Sequence, residues 1–133
     1  DFRYKETAMR FWGGTPSIAP YVIAAHSINY FNQIGIKKIR QHNQMLIEKV
    51  SGEFDVEFVS PREEAKRGGT MILDFKNHQD TVLKNLKERI LSRLKENNIS
   101  VDVRSQGIRI SPHIYNDEAD MSHLIEVIKT TKL

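Results

Sequence analysis

Cysteine is absent from the 133 residues. Disulfides, thiolate zinc sites and cysteine nucleophiles are therefore excluded within this chain. The absence also fits a cytoplasmic setting, where disulfides are rare. Long hydrophobic runs are missing too. The longest, Ile18 to Ala25, contains Pro20 and is far shorter than the roughly 20 residues a membrane helix needs, so no membrane partner is expected. The chain opens at Asp1 without methionine or a signal-peptide pattern, which fits a piece of a longer protein. A strong charge bias is lacking: 20 Lys+Arg stand against 17 Asp+Glu, for a net charge of +3. The densest basic cluster is Lys84, Lys87, Arg89, Arg93 and Lys95. It falls inside a helical pattern and reads as a solvated helix face rather than a nucleic-acid surface.

Motifs of metal and nucleotide chemistry are scarce as well. His26, His42, His78, His113 and His123 form neither HxxxH nor HExxH, so no metal site is expected. There is no GxxxxGK[ST] and no GxGxxG. No Ser-His-Asp set or carboxylate pair stands out by spacing, and no catalytic residue is assigned.

The remainder is the composition of a folded protein, 39% hydrophobic and 28% charged. The length suits one domain over residues 1–133, able to bury about two-thirds of its unfolded surface. After Gly13-Gly14-Thr15-Pro16, with Thr15 or Ser17 near the cap, Ile18, Val22, Ala25 and Ile28 recur at helical spacing. Ile23, Tyr30 and Phe31 make that helix apolar on other sides, so it should be buried between two layers or two chains. Gly35 ends it. Ile36, Ile39, Leu46, Ile47 and Val50 mark a second helix, closed by Gly52. Phe54, Val56 and Phe58 alternate as a strand, as do Met71, Leu73 and Phe75. Val82, Leu83, Leu86, Ile90 and Leu94 give a third helix, stopped by Asn97-Asn98.

A hairpin follows. Ile99, Val101 and Val103 point one way, and Ser100, Asp102 and Arg104 the other. Beyond the turn, Ile108 and Ile110 oppose Arg109. A two-residue turn at Gln106-Gly107 or Ser105-Gln106 keeps both apolar sets on one face, so Arg104 and Arg109 leave together by the opposite face. Asn116 is placed to cap a last helix whose buried stripe is Met121, Leu124, Ile125 and Ile128. The interleaved order predicts an α+β fold, a small, mostly antiparallel sheet with helices packed on one face.

Three features carry chemical interest. Gly13-Gly14-Thr15 before a helix can offer backbone N–H groups and a hydroxyl to a phosphate, or be an ordinary turn. Arg109, between two isoleucines with Arg104 nearby, suits carboxylate recognition by its planar fork. It equally suits the solvent face of a half-buried sheet. His113 sits beside the arginine hairpin and taken alone reads as a surface residue.

Four segments, in order and spanning nearly the whole chain, resemble the C-terminal small domain of class V aminotransferases, the fold-type-I pyridoxal-phosphate enzymes. They are Arg10-Phe11-Trp12-Gly13-Gly14-Thr15-Pro16, Pro61 to Gly69, Val101-Asp102-Val103-Arg104, and Ile108-Arg109-Ile110-Ser111-Pro112-His113-Ile114-Tyr115-Asn116. Ala65-Lys66-Arg67-Gly68 is similar to kynureninases in particular.

The resemblance implies pyridoxal phosphate as cofactor in the full-length enzyme. Thr15, with Gly14, would reach the cofactor phosphate of a neighbouring subunit in a homodimer. Arg109 would bind the α-carboxylate of an amino-acid substrate, and Arg104 would support the same pocket. The family's Schiff-base lysine lies in a large domain preceding this one, and no lysine here sits in a matching motif. The fragment is accordingly expected to be inactive alone and not to bind the cofactor covalently. Only Ser105, Gln106, Gly107 and Ile108 separate the two arginines, and no cysteine exists, which argues against persulfide chemistry. The rival reading is a self-contained α+β ligand-sensing or RNA-binding module. Against it, the sheet lacks adjacent exposed aromatics for base stacking, and the first helix is too apolar for a monomer surface.

Overall fold

The computed structural model describes residues 1–15, 17–54, 57–74 and 86–132. The expectations on Pro16, Val56, Phe75, His78, Val82, Leu83 and Lys84 lie outside the described residues. The chain divides into two compact units, Asp1–Ile36 and Lys37–Leu133.

The first unit holds a 3-10 turn, Ala8–Phe11, and helix α1, Ala19–Ile34. Thr7 Oγ1 opens the turn by accepting from the Met9 N–H at 3.3 Å. Neither Thr15 nor Ser17 caps α1. The N-cap position is Ile18, with no side-chain cap, and Pro20 occupies the first turn, where its missing N–H would have had no partner. Gly35 ends the helix at φ +93°, and its N–H donates to the Phe31 carbonyl at 2.9 Å. That backbone conformation explains why glycine stands there. None of the described residues of this unit is buried.

The second unit holds its own core. Helix α2 runs Ile36–Ser51, α3 Leu86–Glu96 and α4 Glu118–Lys132. The strands are β1 Glu57–Phe58, β2 Met71–Asp74, β3 Asp102–Arg104 and β4 Gly107–Ile110. They form one antiparallel sheet in the order β1-β2-β4-β3. Strand alternation turns Met71 and Leu73 of β2 and Ile108 and Ile110 of β4 to one face. There they join Leu46, Ile47 and Val50 of α2, Ile90 and Leu94 of α3, and Leu124 and Ile128 of α4 in one cluster. This is the expected α+β arrangement, with α2, α3 and α4 contributing to the core on one side of the sheet. Phe54 is buried in that cluster but lies outside β1. Of the basic cluster, Arg89, Arg93 and Lys95 are exposed, as a solvated face requires.

The last helix starts one residue later than Asn116 as cap would give. Asp117 Oδ1 accepts from the Asp120 N–H at 2.9 Å, and Asp120 Oδ2 accepts from the Asp117 N–H at 3.2 Å. This reciprocal pair is a capping box with aspartate at both ends. Asn116 instead closes the preceding turn, its Oδ1 accepting from the His113 N–H at 3.0 Å.

Candidate functional site

The β3–β4 hairpin turns at Ser105-Gln106, one of the two registers that alternation allowed, with Asp102 opposite Arg109, Val103 opposite Ile108 and Arg104 opposite Gly107. Asp102, Arg104 and Arg109 therefore share the face turned away from the core. On that face Asp102 bridges the two arginines. Its Oδ2 lies 2.5 Å from Arg104 Nη2 and 2.6 Å from Arg109 Nη2. The three side chains are 42%, 47% and 36% exposed respectively. Arg109 Nε is buried and has no hydrogen-bond partner among the described residues. Ile72 of β2 stands opposite Arg109 on its other side and gives the guanidinium an apolar flank. The carbonyl of Arg104 accepts from Lys87 Nζ at 3.1 Å, which ties the end of β3 to α3.

The start of β4 at Gly107 depends on glycine. Its φ is +159°, and a Cβ there would collide with the Leu73 carbonyl on β2. The close approach of β2 and β4 that sets Arg109 in place therefore needs a residue without a side chain.

A second set of residues holds the neighbouring segments, and it was not visible in the pattern reading. Asn43 and Gln44 of α2 are buried. Asn43 Nδ2 donates to the carbonyls of Gly69 at 2.9 Å and Pro112 at 2.7 Å. Gln44 Nε2 donates to Asn43 Oδ1 at 2.9 Å and the Gly68 carbonyl at 3.1 Å. Gln44 Oε1 accepts from Arg67 Nε at 2.8 Å. Arg67 is buried, with Glu48 Oε1 3.7 Å from its Nη2. Arg40 Nη2 donates to the carbonyls of Glu64 and Arg67 at 2.7 and 2.8 Å. His42 Nε2 lies 2.8 Å from the Asn116 carbonyl oxygen. One helix thus pins the Pro61–Gly69 loop and the segment that follows Arg109. The available signal was that Asn43 sits on the same helical stripe as Leu46, Ile47 and Val50, where a polar residue needs a partner.

Gly13, Gly14 and Thr15 belong to the first unit. They line an open concavity with Ala8, Phe11, Trp12 and Tyr21. All three are exposed, and Gly14 has φ +152° with no atom within 4 Å of a built Cβ. The Thr15 hydroxyl and the loop backbone are thus accessible. His113 is half-buried, its ring 5.4 Å from that of Tyr115. Among the described residues no lysine is buried, no cluster of His, Asp and Glu is placed to hold a metal, and no helix is long and apolar enough to cross a membrane.

Comparison with known proteins gives the following likenesses. Residues 36–128 match the family model of the kynureninase C-terminal domain. The chain is 26% identical over 131 residues to YcbU, an uncharacterized aminotransferase of Bacillus subtilis (strain 168), covering 96% of this chain and 33% of that protein. It is 26% identical over 132 residues to the kynureninase of Geobacillus thermodenitrificans (strain NG80-2), covering 92% of this chain and 29% of that protein. The chain thus spans about a third of the length of these relatives. The apo structure of a cysteine desulfurase from Thermococcus onnurineus NA1 superposes with a TM-score of 0.76 at 20% identity, covering 98% of this chain and 35% of that one. This last likeness is one of fold.

Proposed function

Because this chain belongs to the kynureninase C-terminal domain family, we propose that it is the substrate-orienting C-terminal domain of a pyridoxal-phosphate enzyme acting on an amino acid. In this reading residues 1–133 follow a large domain that carries the cofactor lysine, and the active form is a homodimer. The observation that carries the reading is Arg109. Its guanidinium stands on the sheet face away from the core, held at Nη2 by Asp102, and its side chain is 36% exposed. A substrate carboxylate is the planar, two-oxygen anion such a fork accepts.

The residues present fit one end of the cofactor. The exposed Thr15 hydroxyl and the Gly14 backbone suit an oxygen-rich phosphate. When bound, pyridoxal phosphate supplies the electron sink for the amino acid's α-carbon. Arg109 fixes the substrate's carboxylate, and this matters because the bond held in line with the ring's π-system is the one that breaks. Arg104 supports the same charged surface through Asp102. The exposed apolar side chains of the first unit, Tyr21, Val22, Ile23 and Ile28 among them, favour a domain that is covered by other parts of an enzyme over one that stands free.

Titration of the whole enzyme with an amino acid and with its decarboxylated amine tests this. Arg109→Ala should weaken amino-acid binding about thirtyfold or more, equivalent to about 2 kcal/mol, and leave the amine unaffected. Arg109→Lys should recover part of the loss, since an ammonium keeps the charge but not the two-pronged geometry. Equal effects on both ligands, or none, would remove Arg109 from the substrate site.

A further inference from the structure

The two arginines do not face the solvent as two free cations. Asp102 Oδ2 lies within 2.6 Å of an Nη2 of each, so the cluster behaves as one unit of net charge +1. Its geometry follows from register. Asp102 pairs directly with Arg109, while Arg104 pairs with Gly107, which leaves the arginines diagonal to one another across the hairpin. Diagonal neighbours on one sheet face lie about 7–8 Å apart. The two guanidinium groups, drawn to one carboxylate oxygen, repel each other, and that carboxylate offsets the repulsion while engaging one end of each. Gly107, opposite Arg104, adds no side chain to this face. Asp74, two residues beyond Ile72 on β2, lies on the same face and is engaged in an interaction of its own.

We propose that Asp102 sets the charge selectivity of the carboxylate site: by neutralising one of the two arginines it makes the hairpin a receptor for one carboxylate and disfavours ligands with a second anionic group. The inference rests on the reading of Arg109 as the carboxylate binder and extends it to a residue of a different kind. Asp102 does not contact the reacting atoms. It acts through the arginines, as a positioning and selectivity residue. A monocarboxylate needs only the donors of Arg109 that Asp102 leaves available. A dicarboxylate would bring its second group toward Arg104, whose Nη2 is already taken and whose charge is already matched. Replacing Asp102 by asparagine preserves shape and one acceptor oxygen while releasing a second cation. Affinity for dicarboxylates should therefore rise relative to monocarboxylates. The cluster is partly exposed, so screening limits the gain.

The experiment uses unreactive probes on the holoenzyme. Propionate, succinate and glutarate are titrated by calorimetry into wild type, Asp102→Asn, Asp102→Glu and Arg109→Ala, at low and high salt. The expected result is a rise of about five- to tenfold in the succinate or glutarate affinity relative to propionate in Asp102→Asn, shrinking at high salt. Asp102→Glu, which keeps the charge, should stay near the wild-type ratio. An unchanged ratio in Asp102→Asn, with Arg109→Ala still losing propionate, overturns the role of Asp102 and leaves that of Arg109 standing. If Arg109→Ala binds propionate as wild type does, the reading of Arg109 fails, and this inference fails with it.

Discussion

The two units of the chain use apolar side chains in opposite ways. In Lys37–Leu133, Leu46, Ile47, Leu73, Ile90 and Ile108 have no solvent exposure. Each lies on one face of its helix or strand and joins the others in one cluster, so the elements can close on one another. In Asp1–Ile36, Tyr21, Val22, Ile23 and Ile28 are 66%, 55%, 68% and 57% exposed. They point in several directions around α1, so no single neighbouring layer within that unit can bury them. Amphipathic segregation makes a segment self-sufficient, and apolar content without segregation makes it dependent on a surface from elsewhere. The candidate carboxylate site lies on the self-sufficient unit, on short strands fixed by a packed core. The glycine-rich loop lies on the dependent one.

That contrast is broken most directly by truncating matched side chains. Leu73→Ala removes a fully buried side chain from the sheet and should cost about 2–5 kcal/mol in urea unfolding of the chain. Ile23→Ala in α1 should change the same transition by less than about 0.5 kcal/mol, as exposed substitutions do. A comparable loss at Ile23 would show that α1 is packed in the chain on its own, and the difference between the units would disappear.

A smaller effect sharpens how the second unit holds its site. Gly107→Ala places a Cβ against the Leu73 carbonyl. Relief requires β2 and β4 to separate, with loss of pairing on either side of Arg109. The expected destabilisation is about 1–3 kcal/mol. Chemical-shift changes should concentrate at residues 71–74 and 102–110, leaving α1 unaffected. A neutral melt would mean that the hairpin tolerates a wider spacing than its register implies.

How much of this was legible in the sequence follows the same division. The α2 stripe, the β2 alternation and the common face of Arg104 and Arg109 could be read because period and chemistry agree within a few residues. The apolar excess of α1 was also visible. The bridging role of Asp102 was not drawn from the pattern, although alternation had put it on the same face as Arg104. Alternation gives faces, and which side chains bond across a face depends on register and reach. Asn43 and Gln44 escaped for a related reason. Their partners are carbonyls of Gly68, Gly69 and Pro112, distant in sequence, and no local propensity signals a partner brought in by tertiary structure. The cap of α4 moved by one residue because Asn116 and Asp117 are both competent caps, and the choice was made by the reciprocal bond to Asp120.

The smallest expected effect concerns an ion pair that clips α4 to the chain just beyond α2. Lys129 Nζ donates to Glu53 Oε2 at 2.5 Å. That hydrogen bond, with the attraction of the same ammonium and of Lys49, holds the Glu53 carboxyl below its ordinary value. A depressed folded-state value means that the folded protein binds this proton less readily than the unfolded chain does. The pair therefore stabilises the fold at pH values above the ordinary carboxylate range, and the contribution disappears as pH falls through the lowered folded value. Both groups are well exposed, so the effect is small and screened by salt. Glu53→Gln should lower the melting temperature slightly at neutral pH and low salt. The two proteins should converge in acid below the folded value and in high salt at any pH. A difference that persists unchanged into acid would assign the role of Glu53 to packing rather than to charge, because a protonated carboxyl and an amide have nearly the same shape.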